Sequence, residues 1–135
     1  MASLEEHRRS FCFWVTTGRG TKTKPGLGLG VLPGGGPVRG LVYRLDPTLL
    51  DDILEALWLR EMWAGVYHAK WRRLETASGH VYAIVYVANE SHPNFAGDLH
   101  MEAQAKIMAR AKGPRGWNCE SVSYNHLRDH ETLRY

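Results

Sequence analysis

The sequence has no long hydrophobic run. Nowhere in its 135 residues does an apolar stretch approach the ~20 residues a membrane-spanning helix needs. A secretory leader is not recognisable either: residues 1–9 are polar and carry both charge signs. Together these absences predict a cytoplasmic protein with no membrane partner. Cysteine is scarce. Cys12 and Cys119 stand far apart, and neither has a neighbour at metal-binding spacing, so both read as reduced, structural thiols. The seven histidines form no His-Glu-x-x-His pair. His126 and His130 are four apart but have no third ligand close in sequence, so no metal site is expected.

Concentrated charge is missing as well. Seventeen basic residues against fourteen acidic ones give a net charge of +3. Arg8, Arg9, Arg39, Arg72, Arg73, Arg110 and Arg115 are scattered among acids, whereas a nucleic-acid surface needs a basic stripe. Nucleic acid is therefore not an expected partner. A mild positive excess does suit a small anionic substrate. The glycine-rich stretch from Gly26 to Gly36 resembles a phosphate loop in composition only. Such a loop opens a helix whose N–H groups hold the anion. Here a branched-residue strand follows, and no Walker lysine does.

What is present is the make-up of one globular domain over residues 1–135: 44% hydrophobic and 23% charged. Strands are expected at Phe11 to Val15, at Leu27 to Leu32, and at Val38 to Leu45. A loop falls between the first two and a turn at Pro33 to Pro37. From Pro47 to Arg60 the period changes. Leu50, Ile53, Leu54, Leu57 and Trp58 recur at helical spacing and predict a buried stripe, with Asp46-Pro47 as cap and first turn. A hairpin follows, Val66 to Glu75 and Val81 to Val87 about Ser78-Gly79. A second helix is expected from Leu99 to Lys112, with Met101, Ala105 and Met108 on one face and Gly113-Pro114 ending it. The tail from Asn118 to Leu133 reads as weakly helical. Asn89-Glu90-Ser91 has the form of a glycosylation acceptor, which carries no meaning without a secretion signal. The element order argues an α+β fold with a mostly antiparallel sheet, or a small β-barrel with flanking helices.

Glu61 stands out within this pattern. It lies seven residues after Leu54 and four after Leu57, so helical spacing carries it onto the apolar side of the first helix. Its neighbours Trp58, Met62 and Trp63 are large and apolar, and a helix C-terminus disfavours negative charge. Both influences push a carboxyl group's pKa upward, toward the range of a general base. A structural ion pair with Arg60 or another arginine explains the same position.

Arg60-Glu61 followed by Gly65-Val66-Tyr67 resembles the signature of ChaC-type γ-glutamylcyclotransferases. The resemblance continues in order along the chain. His7 to Trp14 resembles the family's early strand, Gly18-Arg19-Gly20-Thr21 with Pro25-Gly26-Leu27 the next loop and strand, and Val38 to Leu45 the strand before the helix. His92 to Gly97 and Gly113 to Gly116 match two later loops. The resemblance implies that a γ-glutamyl compound, chiefly glutathione, closes on itself to release 5-oxoproline, without a cofactor. Glu61 would be the base. Tyr67 and Arg19 would be substrate contacts, unless Tyr67 is simply a half-buried hairpin residue and Arg19 a solvated one.

Two departures from the family pattern set further expectations. The family's Tyr-Gly-Ser-Leu loop has no counterpart, which implies that roughly 30 to 40 residues, a strand and a loop, are missing. A sheet lacking that strand is expected to keep an unpaired edge and to invite a homo-oligomer. Glu120-Ser121-Val122 stands where the family tends to have Glu-Tyr-Leu. A non-catalytic relative that binds γ-glutamyl ligands or regulates is the alternative reading.

Overall fold

The computed structural model describes residues 1–61, 65–120 and 131–134, the side chains of residues 60, 61 and 131–134 excepted. The chain divides into two compact units. The first holds Met1–Arg9, Val31–His92 and His130–Tyr135; the second holds Ser10–Gly30 and Pro93–Asp129.

The first unit is a closed ring of strands. Its members are β1 (Ala2–Leu4), β4 (Val38–Tyr43), β5 (Tyr67–Thr76), β6 (Gly79–Ala88) and β9 (Glu131–Arg134), in the order β1-β4-β9-β6-β5 with β5 returning to β1. Among the described residues every pairing in the ring is antiparallel except that of β4 with β9. The expected small barrel is therefore present, but the expected unpaired edge is not found in this ring. The short N-terminal strand β1 pairs on one side with β4 and on the other with β5, so its backbone groups are satisfied within the chain.

Alternation along these strands builds the core. Ala2, Leu4, Val31, Val38, Leu74, Ala83, Val85 and Val87 form one buried cluster, and Val42 and Val81 pack against it. Burying each of the larger side chains contributes about 1.5–3 kcal/mol. The β5–β6 hairpin turns at residues 77 and 78, and Gly79 opens β6 at φ +126°, a conformation that favours glycine.

The first helix begins as a 3-10 turn, Pro47–Leu49, and continues as α1, Leu50–Glu61. Asp46 caps it as expected: its carboxylate accepts the Thr48 backbone N–H at 2.9 Å and the Thr48 hydroxyl at 2.8 Å. Those two donors hold the Asp46 carboxyl below the usual carboxylate range. The expected buried stripe is only partly realised. Leu57 is buried and Ile53 and Leu54 are half-buried, whereas Leu50, Trp58 and Leu59 are exposed. Helical period decides which residues share a face, but not whether another element lies against all of it.

The strands β2 (His7–Val15) and β3 (Gly26–Pro33) pair with each other, and the β2 strand begins four residues before the expected start. In the second unit, the loop after Pro93 lies along β2. The Trp14 N–H donates to the Asn94 carbonyl at 2.7 Å, the Ala96 N–H to the Cys12 carbonyl at 2.7 Å, and Phe13 meets Phe95 edge-on at 6.2 Å. The second helix, α2 (Met101–Arg110), buries Met108, while Met101 and Ala105 are exposed. The expected face is thus rotated: Ala103, Gln104 and Ile107 are the residues half-buried beside Met108. A small hairpin follows, β7 (Lys112–Gly113) with β8 (Gly116–Trp117). The expectation of a helical tail holds at residues 118–120, fails at β9, and between them lies outside the described residues. The strand β9 is drawn out of helix by its parallel pairing with β4, which a local reading of residues 118–133 does not contain.

Candidate active site

The first unit places the end of α1 and the start of β5 in one short stretch of chain. Glu61 is the last residue of α1. Its side chain lies outside the described residues, so the inward-facing expectation is carried by helix position alone. The backbone reappears at Gly65, in a left-handed conformation at φ +72°, and enters β5 at Tyr67, which is half-buried opposite Ala88.

Asn89 fastens this stretch. Its side-chain amide donates to the Gly65 carbonyl at 2.9 Å, and its backbone N–H donates to the Val66 carbonyl at 2.8 Å. On its other side it accepts the Ser91 N–H on Oδ1 at 3.0 Å and the His92 N–H on its carbonyl at 3.1 Å. One residue therefore ties the exit of β6 to the segment that links Glu61 with Tyr67. Sequence reasoning passed over this role, because the tripeptide drew notice only as a glycosylation pattern. The available signal was an Asx-turn residue placed just after an alternating strand.

The hairpin register adds a second feature. His68 stands opposite Val87, Lys70 opposite Val85 and Arg72 opposite Ala83. Directly opposed residues share a face, and these three partners are all buried. The core-side face of β5 thus carries a row of cationic or protonatable side chains, with His68 and Lys70 reaching solvent and Arg72 half-buried. The sequence held this as a period-two alternation, but a count of scattered basic residues hid it.

Arg19 belongs to the second unit. Its Nη1 donates to the Trp117 carbonyl at 3.1 Å and pairs with Glu120 at 2.7 Å. The half-exposed guanidinium is therefore anchored to the β7–β8 hairpin region and is not merely solvated. Glu61 and Tyr67, by contrast, share the first unit.

Comparison with known proteins gives a consistent result. The family profile described as ChaC-like protein matches residues 1–130. This chain belongs to the ChaC-like family. It is 39% identical over 113 residues to the glutathione-specific gamma-glutamylcyclotransferase of Escherichia coli (strain K12), covering 83% of this chain and 48% of that protein. The ChaC-like chain therefore spans about half the length of the curated relative it matches. Its fold is similar to two crystal structures of the yeast gamma-glutamyl cyclotransferase specific to glutathione. The selenomethionine-labelled form aligns with a TM-score of 0.71 at 18% identity, covering 94% of this chain and 76% of that one. The second aligns with a TM-score of 0.69 at 17% identity, covering 94% and 78%.

Among the described residues of the ChaC-like chain, no group of three or more His, Cys, Asp or Glu is placed to hold a metal ion. His126 and His130 lie outside the described residues. No described helix is long and apolar enough to cross a membrane.

Proposed function

We propose that this ChaC-like chain acts as a γ-glutamylcyclotransferase on glutathione or a related γ-glutamyl compound. The observation that carries the reading is the 39% identity, over 83% of the chain, to a bacterial protein whose name states that activity. The family match runs through both units, which supports treating residues 1–135 as one functional domain. Cys12 and Cys119 are in no disulfide among the described residues, which fits a reducing, cytoplasmic setting.

In this reading the substrate supplies its own nucleophile. Its neutral α-amine attacks the γ-carbonyl carbon, a new C–N bond closes the five-membered ring, and the old amide C–N bond breaks. Glu61 takes the proton released by the attacking amine and returns it to the leaving amine of cysteinylglycine. The products are 5-oxoproline and the dipeptide; no water and no cofactor enter the balance. Holding the amine against the carbonyl supplies much of the rate, because the reaction is already intramolecular. Asn89 supports this by fixing Gly65 and Val66, just before Tyr67. Tyr67 would hydrogen-bond substrate or base. Arg19 would meet a substrate carboxylate, and Lys70 offers further positive charge to a substrate with two carboxylates.

The test is incubation with glutathione and quantification of 5-oxoproline. Product is expected from the wild-type chain, and Glu61→Gln should lower kcat by about 100-fold or more, in line with loss of a general base. A folded wild-type chain that makes no product would overturn the enzymatic reading and leave a ligand-binding relative. A Glu61→Gln variant with full activity would remove Glu61 from the mechanism and leave the activity intact.

A further inference from the structure

The second unit contains a groove of about 380 Å³ that the proposed reaction does not use. Trp14, Pro25, Ile107 and Ala111 give it an apolar lining. Lys24, Lys106 and Arg110 also line it, and no acidic residue does so among the described residues. The volume is in the range of small-molecule sites, roughly 300–1,000 Å³, and an apolar bed with a few convergent charges is their usual make-up.

The basic residues come from two separate elements. Lys106 and Arg110 stand one turn apart on α2, where like charges repel. Arg110 lies in the last turn of α2, where the helix dipole favours a cation, but Lys106 does not. Lys24 arrives from the loop before β3, and its position is set locally. The Thr21 N–H donates to the Lys24 carbonyl at 3.1 Å, and the Lys24 N–H donates to the Thr21 hydroxyl at 3.1 Å. The Trp14 backbone is likewise held, since its N–H is bonded to Asn94 and the neighbouring Phe13 ring packs edge-on against Phe95. The backbone at Trp14 and at Lys24 is thus fixed, which lowers the ordering cost of binding.

We propose that this groove binds a small, ring-bearing organic anion. The ring lies on Trp14 and Pro25, and the anionic group is held among Lys24, Lys106 and Arg110. A guanidinium and two ammonium groups together suit a carboxylate or phosphate, and an anion between Lys106 and Arg110 relieves their mutual repulsion. The inference does not depend on the cyclotransferase reading. Every residue it uses is in the second unit, and none of them is a proposed catalytic or substrate residue.

The probes are phenyl phosphate, inorganic phosphate and benzyl alcohol. The readout is the indole N–H resonance of Trp14 in a ¹H–¹⁵N spectrum, assigned by its loss in Trp14→Phe. Phenyl phosphate should shift that resonance saturably. Inorganic phosphate should bind more weakly for want of the ring, and benzyl alcohol should give no saturable shift for want of the charge. The double variant Lys106→Glu/Arg110→Glu should weaken phenyl phosphate by about tenfold or more. Lys24→Glu, on a different element, should weaken it in the same direction. All three side chains are exposed, so these variants keep the wild-type spectrum elsewhere. Unchanged affinity in both charge variants, equal binding of benzyl alcohol, or no saturable shift with phenyl phosphate would each overturn the proposal.

Discussion

Asn118 and Leu27, ninety-one residues apart, exchange two hydrogen bonds: the Asn118 amide accepts the Leu27 N–H at 2.9 Å and donates to the Leu27 carbonyl at 3.1 Å. Both residues are almost wholly buried. A single side chain thus satisfies the backbone donor and acceptor of one residue in β3, as a neighbouring strand would. Gly26 makes room for it, since a Cβ there would stand 2.8 Å from the Asn118 amide carbon. Asn118→Ala should therefore strand two buried backbone groups, at about 1–3 kcal/mol each. Urea unfolding should show a loss of roughly 2–6 kcal/mol. A loss under about 1 kcal/mol would mean that water takes over both bonds.

Asn89 plays a related part beside the proposed catalytic stretch. Asn89→Ala removes the bonds to Gly65 and from Ser91 while keeping its backbone contacts. Stability should fall by about 1–2 kcal/mol. If the chain between Glu61 and Tyr67 is positioned by this amide, kcat for 5-oxoproline release should fall with little change in KM. Equal kcat in a folded variant would reduce Asn89 to a purely structural residue.

The Asp46 cap makes the start of the first helix sensitive to acid. Its carboxyl is depressed by the Thr48 N–H first and the Thr48 hydroxyl second. A depressed folded pKa contributes stability that is fully present above the unfolded value and is lost as pH falls through the folded one. Acid titration of helical circular dichroism should therefore show a decline below the ordinary carboxylate range that Asp46→Ala lacks. At neutral pH the same variant should melt at a lower temperature than wild type. Superimposable titrations of variant and wild type would exclude this contribution.

Arg19 allows its structural and proposed substrate roles to be separated. Glu120→Gln breaks only the ion pair, whose partners are 32% and 58% exposed, and should cost less than about 1 kcal/mol with KM unchanged. Arg19→Lys keeps the charge but loses the planar fork. If Arg19 holds a substrate carboxylate, KM should rise several-fold at constant kcat. An unchanged KM would confine Arg19 to its contacts with Trp117 and Glu120.

The sequence went far in some places and stopped short in others, for identifiable reasons. The hairpin β5–β6 was legible because alternation, branched residues and Ser78-Gly79 all act within twenty-odd residues of chain. The Asp46 cap was legible because its partner Thr48 is two residues away. On α2 the pattern named the right helix and the wrong face: Met101 looked like core but stands 80% exposed, while Met108 is buried. Period alone ranks faces by apolar content, and at this helix the neighbouring elements chose a slightly rotated one. The row of His68, Lys70 and Arg72 needed a register, because only their partners Val87, Val85 and Ala83 show which face of β5 they occupy.

By itself the sequence determined the secondary elements of the hairpin, the capped start of the first helix, the α+β class and, through an ordered set of short segments, the family. These rest on local propensity and on the identity of residues, both of which are written along the chain. Tertiary structure decided the rest. The ring closes because β1 and β9, from the two ends of the sequence, pair with β4 in the middle. The backbone N–H and C=O of Leu27 are satisfied by Asn118, and the groove on Trp14 is lined by basic residues from a loop and a helix more than eighty residues apart. Each is a contact between distant segments, and a hydrogen bond or a cluster of charge exists only once folding has made those segments neighbours.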